Sequence, residues 1–326
     1  MNDLLNIMRA LADPTRLRII FLVLRLELSV GEMVQILGQS QPRVSRHVRI
    51  LNEAGILDRR KEGSWVFMRP GPVLIAGRLN SLLAGTDCTQ GKAYQRDLAK
   101  LEEVRTSRTE MATAYFAAHA EEWDSLRSLH VAESEVENAI REILRAVPLG
   151  TVLDVGTGTG RMMELFAAEA DHFVALDNST EMLRLARAKL ANIDAGAAAK
   201  IEILLGDFNA LPFGSGEFDT VIFHQVLHYA QDPEGVLAQA ARVLAPNGRL
   251  MIVDFAAHDH EELRTVHAHA RLGFADELIA NAFQANGVDL EKQVALDSGA
   301  LAVKIWMGQK KDQPPAAQGA NLRIVA

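Results

Sequence analysis

The sequence predicts two domains of different class: a small, mainly helical head closed by a strand hairpin, and a larger α/β body built on a mostly parallel sheet. Three observations carry that reading. The first 80 residues hold 12 Lys and Arg against 7 Asp and Glu, a net of +5, whereas the remaining 22 and 35 give −13, so a basic head precedes an acidic body. Within the head, Ser40-Gln41-Pro42-Arg43-Val44-Ser45-Arg46-His47-Val48-Arg49 has the tight turn and one-sided apolar spacing of the second helix of a helix-turn-helix. From Thr151 onward, short apolar runs alternate with helical stretches, as strands do in a parallel sheet covered on both faces.

Composition sets the bounds. A chain of 326 residues, 48% hydrophobic and 23% charged, has the length of about two globular domains of roughly 100 to 200 residues each. No apolar run is long enough to span a membrane, and Met1-Asn2-Asp3-Leu4-Leu5 has neither the basic region nor the apolar run of a signal peptide. A cytoplasmic protein with no membrane partner is therefore expected. The single cysteine, Cys88, cannot close an internal disulfide or supply a thiolate metal cage.

The head divides into short helices. Asp13-Pro14 reads as an N-cap followed by proline in the first turn, with Leu17, Ile20, Phe21 and Leu24 continuing at helical spacing. Val30 to Leu37 places Val30, Met33, Val34 and Leu37 on one face and stops at Gly38. Ser40 or Gln41 can cap the next helix, whose stripe Val44, Val48 and Leu51 faces inward. Arg43, Ser45, Arg46, His47 and Arg49 then fall on the outer side, where cationic and polar side chains suit base edges and phosphates. Ile56 to Arg69 reads as two strands about Glu62-Gly63, with Arg59, Arg60 and Lys61 near the tip of a wing.

Over about residues 3 to 83 the head resembles the ArsR-type winged helix-turn-helix repressors. The resemblance rests on Asp13-Pro14-Thr15-Arg16-Leu17-Arg18-Ile19, Ser40 to His47, Leu51-Asn52-Glu53-Ala54-Gly55-Ile56-Leu57 and the basic wing. It implies a symmetric homodimer on double-stranded operator DNA, acting as a repressor, with Ser40, Gln41, Arg43, Ser45, Arg46, His47, Arg49, Arg59, Arg60 and Lys61 at the interface. Where metal sensors of that family carry Glu-Leu-Cys-Val-Cys, this chain reads Glu27-Leu28-Ser29-Val30-Gly31, and Val73 to Leu83 lacks zinc ligands. No metal site is assigned.

Gly85 to Gly91 is the expected joint. Lys92 to Val147 is charged and alanine-rich with no proline, so residues 85–147 read as a helical linker and lid or dimerisation region between a head at 1–84 and a body at 148–308. Leu98, Leu101 and Val104 form either one edge of a dimer contact or a weak stripe on a solvated connector. Tyr115, Phe116 and Trp123 read as core contacts or as a lid.

In the body, apolar strands are expected at Thr151–Val155, His172–Asp177, Lys200–Leu205, Phe218–Phe223, Arg249–Asp254 and Ala302–Met307. Ligands in such sheets sit beyond the carboxyl ends of the strands. There the first strand runs into Asp154-Val155-Gly156-Thr157-Gly158-Thr159-Gly160, glycines that allow a sharp turn and close approach of backbone to ligand. The dinucleotide spacing would need glycine at Arg161, and no Lys-Ser or Lys-Thr pair makes a phosphate loop. Asp177 closes the second strand, as an acceptor for two ribose hydroxyls should. Asp207 and Phe208 follow the third, in reach of an adenine.

With Leu211-Pro212-Phe213, Phe218 to Val221, His224-Gln225-Val226-Leu227-His228 and Arg242 to Leu250, residues 110–308 resemble the Rossmann-like S-adenosylmethionine-dependent methyltransferases. The resemblance implies a seven-stranded, mostly parallel sheet. It puts Asp154 and Gly156 near the methionyl amine and carboxylate, with Gly158 and Gly160 completing the loop. Asp177 takes the ribose, Asp207 and the Phe208 amide the adenine, and His224 lines the transfer cleft.

His224 and His228 are the candidate bases for deprotonating a small-molecule acceptor, or they only shape the pocket. A second group, His258, His260, His267 and His269, does not read as a metal site, because His267 and His269 diverge by about 200° on a helix. Residues 309–326 read as a disordered tail. Two functional classes follow: a repressor sensing S-adenosylmethionine or its product S-adenosylhomocysteine, and a small-molecule methyltransferase whose head regulates its own pathway. A bifunctional protein combines them, and a purely sensing repressor without catalysis is the remaining alternative.

Overall fold

The computed structural model describes residues 2–62, 65–75, 91–123, 133–297 and 301–312. The chain divides into two compact units, neither of them continuous. The first comprises Met1–Ala118, His228–Asp232 and Ala257–Leu272; the second comprises His119–Leu227, Pro233–Ala256 and Gly273–Ala326. Two stretches of the expected body thus belong to the compact unit of the head.

The first unit begins with α1 (Asn2–Leu11), α2 (Pro14–Val23), β1 (Leu28–Ser29), α3 (Val30–Leu37) and α4 (Gln41–Glu53). β2 (Leu57–Glu62), β3 (Trp65–Pro70), α5 (Pro72–Ile75) and α6 (Lys92–His119) follow. Asp13 starts α2 by accepting the Thr15 and Arg16 N–H groups at 2.8 and 3.1 Å. Ser29 and Glu32 form a reciprocal capping box on α3, which ends on Gly38 in the left-handed region at φ 64°. Ser40 occupies the N-cap of α4 but makes no side-chain cap bond. β1, β3 and β2 pair antiparallel in that order, and the turn expected at Gly63 lies outside the described residues.

The core of this unit reaches further along the chain than the linker reading predicts. Tyr94, Leu101 and Val104 of α6 are buried in the same cluster as Ile19, Ile36, Val48 and Leu51. Asp97, 2% exposed, accepts two bonds from Arg18 at 2.5 and 2.7 Å, and Arg108 binds Glu32 at 2.9 and 2.5 Å. Leu101 and Val104 therefore pack into their own unit's core, as part of the head and not as a solvated connector. The joint at Gly85–Gln90, Cys88 and most of the Val73–Leu83 stretch lie outside the described residues.

The second unit holds α7 (Glu133–Leu144) and the seven strands β4 (Thr151–Val155), β5 (His172–Asp177), β6 (Ile201–Leu205), β7 (Phe218–His224), β8 (Leu244–Phe255), β9 (Val288–Asp297) and β10 (Ala302–Lys310). The sheet order is β6-β5-β4-β7-β8-β10-β9; β10 alone runs antiparallel to its neighbours β8 and β9, and the other pairs are parallel. α8 (Arg161–Phe166), α9 (Thr180–Leu190), α10 (Ala195–Ala198), α11 (Pro233–Val243) and α13 (Asp276–Ala285) complete this unit, while α12 (Glu261–Thr265) belongs to the first.

The strand expected at Arg249–Asp254 extends back to Leu244, and its partner β7 slips register between Phe218 and Thr220 to accommodate the extension. β10 continues through Gln309 and Lys310, whose ammonium donates to the Ala241 and Leu244 carbonyls at 2.7 and 2.6 Å. The sheet thus takes the first residues of the expected tail, and 313–326 lie outside the described residues. No helix among the described residues is long and apolar enough to cross a membrane.

Candidate functional site

α4 buries Val44, His47, Val48 and Leu51 and turns Gln41, Arg43, Ser45, Arg46 and Arg49 to the surface, together with Ser40 just ahead of it. Its outer face is cationic because the only carboxylate on the helix, Glu53, reaches no nearer than 3.9 Å to Arg49. His47 departs from the expected position. It sits on the buried stripe with Nδ1 3.9 Å from Asp13, and burial depresses its pKa, helped by Arg16, Arg43 and Arg46 and opposed by Asp13. The imidazole thus lies on the inner side of α4, away from the exposed arginines.

The wing divides in the same way. Alternation along β2 exposes Arg59 and Lys61 and turns Arg60 inward, where it pairs with Glu27 and Glu62, each at 2.8 Å. Arg60 therefore lies on the inward side of β2, opposite the exposed Arg59 and Lys61. Trp65, 43% exposed, stacks along β3 on Phe67 with ring centroids 6.2 Å apart.

In the second unit, parallel register brings the carboxyl ends of four strands to one edge: Val155 pairs with Leu176 and Phe223, and Asp177 with Leu205. Gly156 to Gly160, Asp177, Asp207 and His224 converge there. The loop is fixed to β5 by the Gly156 and Thr157 N–H groups, which donate to the Leu176 carbonyl at 2.7 and 3.0 Å. Gly156 takes φ 70°, and a Cβ on it would collide with Val226, so both conformation and space demand glycine. Asp154 is 1% exposed and accepts from the Thr157 hydroxyl at 2.5 Å, which makes it a brace inside the loop.

Asp177 is presented differently. Gly158 N–H donates to Oδ2 and Ser179 N–H to Oδ1, each at 2.8 Å, which fixes the carboxylate against the loop. Burial pushes its pKa up, and the N–H groups of Ser179, Gly158 and Asn178 pull it back. Asp207 is exposed and begins the turn Phe208–Ala210, with Oδ1 accepting from the Asn209 backbone and side chain at 2.9 and 2.7 Å. Gly158, at φ 55°, has the Trp123 indole as its neighbour, Nε1 standing 3.6 Å from where a Cβ would be. The donor set fits an adenosyl ligand: a fixed acceptor for a diol, an exposed acceptor beside an aromatic ring, and a loop open to close approach.

His224 ends β7 at this edge, and the next residue, Gln225, is forced to φ 52° while its N–H donates to Val253 at 2.7 Å. That strained step aims the end of β7, and neither it nor Val226 stands out in the sequence by residue type. His228 belongs to the first unit, is 2% exposed and stacks its ring on His269 with centroids 4.0 Å apart.

The aromatic group expected as core or lid also splits. Tyr115 bonds His267 Nδ1 at 2.6 Å and Phe116 packs on Tyr229 at 4.7 Å, all in the first unit, whereas Trp123 lies by Gly158 in the second. His267 to His269 is not helical, with Ala268 at φ 56°. Among the described residues no group of three or more His, Cys, Asp or Glu is arranged to hold a metal ion.

A model of the bacterial regulatory proteins of the arsR family matches residues 13–59, and a methyltransferase domain model matches residues 153–252. The arsenical resistance operon repressor of Escherichia coli K12 is 39% identical over 99 residues, covering 29% of this chain and 85% of the repressor. The demethylmenaquinone methyltransferase of Renibacterium salmoninarum is 35% identical over 122 residues, 37% of this chain and 48% of that enzyme. The chain thus spans about half the length of that relative. The solved structure of the cyclase SpnF covers 61% of this chain and 94% of its own at a TM-score of 0.52 and 14% identity, a likeness of fold alone.

Proposed function

The chain belongs to the arsR family of bacterial regulatory proteins and carries a methyltransferase domain, and from that premise we propose a bifunctional regulator. Its head represses transcription from an operator, and its second unit binds S-adenosylmethionine or S-adenosylhomocysteine and methylates a small molecule. The observation that carries the reading is Asp177, whose two oxygens are held by backbone N–H groups at the glycine loop, on a chain whose α4 also exposes Arg43, Arg46 and Arg49.

Bound S-adenosylmethionine supplies an electrophilic methyl group on a sulfonium, ready for in-line displacement. Asp177 accepts the ribose hydroxyls. Oδ2 of Asp207 accepts the adenine amino group and the Phe208 N–H donates to the ring. Gly156 and Gly158 let the methionyl end lie against backbone, and Trp123 shields that side from water. His224, at the end of β7, takes the proton of the acceptor. On the DNA side, Arg43, Arg46 and Arg49 read the major groove while Arg59 and Lys61 meet phosphates. A homodimer is supported by α1, where Leu4, Leu5 and Met8 stand 58%, 51% and 49% exposed.

The test is an operator titration with no ligand, with S-adenosylmethionine and with S-adenosylhomocysteine. A ligand shifts DNA affinity only through its differential affinity for the DNA-competent state, so a sensor shows at least one changed isotherm. Three identical isotherms, with ligand binding verified by calorimetry, reject the sensing role.

A further inference from the structure

Three arginines and two glutamates lie together inside the first unit, and two of the arginines come from far along the chain. Arg60 on β2 donates to Glu27 and Glu62. Glu62 also accepts from Arg264 at 2.5 Å and from the Leu272 N–H at 2.7 Å. Arg271 donates to Glu27 at 3.0 Å and to the Gln231 carbonyl at 2.8 Å, while its own N–H donates to the His228 carbonyl at 2.9 Å. Phe67 of β3 has the guanidinium carbons of Arg60 and Arg264 at 4.9 and 5.3 Å from its ring centre. All five charged side chains are at most 22% exposed.

Such a cluster fixes one arrangement. With three positive charges to two negative, the surplus donors go to carbonyls, Gln231 for Arg271 and Ala270 for Arg264, and removing either glutamate strands guanidinium charge in a shielded site. Arg60 and Glu62 alternate along β2 with the exposed Arg59 and Lys61, so whatever holds the inward pair also sets where the outward pair points. The residues that hold it lie in His228–Asp232 and Ala257–Leu272. These segments follow β7 and β8, the first of them four residues after His224.

We propose that Arg264 and Arg271 are positioning residues of the DNA-reading wing, and that this network carries the ligand state of the methyltransferase domain to Arg59 and Lys61. The second half of the statement rests on the cofactor reading given above. The experiment uses full-length protein, S-adenosylhomocysteine as the probe, calorimetry for its binding, and amide hydrogen exchange followed over residues 57–62 and 65–70.

In the wild type the ligand should change wing exchange by about fivefold or more, the lower end of ordinary coupling. Arg271→Met should bind the ligand as tightly as wild type and lose that change, while Arg271→Lys, which keeps a charge for Glu27, should retain it. A ligand that binds without altering the wing overturns the coupling and leaves the cofactor reading intact. If the ligand does not bind, the cofactor reading fails by itself and ligand-free exchange decides the positioning role. There Arg271→Met must speed exchange in β2 and β3 relative to α4, with Arg271→Lys close to wild type. Equal protection in all three proteins overturns that role. Should Arg271→Met not fold, Arg264→Met and Arg264→Lys are judged by the same criteria.

Discussion

Glu62 is a buried carboxylate and Asp177 a half-buried one, one in each unit, and they are held in opposite ways. Desolvation works to raise the pKa of Glu62, but the charge and hydrogen bonds of Arg60, the Leu272 N–H and Arg264 outweigh it and the net shift is downward. Around Asp177 only backbone N–H groups answer desolvation, and the net shift is upward. A carboxylate matched by guanidinium charge is a lock. A carboxylate matched by dipoles alone is left with unspent acceptor capacity, which is what a ligand hydroxyl needs.

The largest effect should come from breaking the lock. Glu62→Gln leaves Arg60 and Arg264 without their countercharge and should destabilise the first unit by about 3 to 5 kcal/mol in denaturant unfolding. An unchanged midpoint would mean that solvent reaches the network. Asp177→Ala should abolish cofactor binding by calorimetry, a loss of about 3 kcal/mol for two bonds to a charged acceptor, without destabilising the ligand-free protein.

The two sites should also part with pH. Glu62, with its lowered folded-state value, contributes stability that is present above the ordinary glutamate range and is lost as pH falls through the folded value. Asp177, with its raised value, binds its proton first in the folded chain. Lowering the pH through that value therefore favours the ligand-free fold while removing the form that accepts the ribose. Down the acid range, wing hydrogen-exchange protection and cofactor affinity by calorimetry should both fall, whereas the contribution of Asp177 to the stability of the ligand-free second unit against denaturant should rise.

Smaller effects separate side chains within the head. Arg46→Ala should weaken operator binding by about 1 to 3 kcal/mol and relax base preference at one position, since α4 presents Arg46 at its exposed face. Lys61→Ala should do less. It should lower the salt slope of binding by about one, uniformly across sequences, as a phosphate contact does. A base-specific loss at Lys61 would move the wing into a groove.

What the sequence made legible follows the range of the forces involved. α3 at Val30–Leu37, β4 and β5 have the bounds that capping residues and apolar runs predict, because Ser29, Gly38 and the flanking turns act within a few residues. The edge strand β9 has no such local signal, since Val288–Asp297 alternates with charge and carries no long apolar run. His47 and Arg60 turn inward for a related reason: local spacing puts each near a surface, but Asp13 in one case and Glu27 with Glu62 in the other draw them inward. At the cofactor edge, Asp177 and the glycines announce themselves by type, whereas Val226 and Gln225 matter only through one collision and one strained dihedral angle.

Arg271 lies 244 residues after its partner Glu27, and Leu272 lies 210 after Glu62. At roughly 5 to 20 residues per second, a ribosome needs about 10 to 50 s to deliver the second half of those pairs after the first. Through that interval the nascent wing has Arg60 and Glu62 in place without the guanidinium groups of Arg264 and Arg271. On the proposed reading, the wing gains its hold from Arg264 and Arg271 only late in synthesis, after every strand from β4 to β8 has been made, and a truncated translation product carrying only the head should bind the same DNA more weakly.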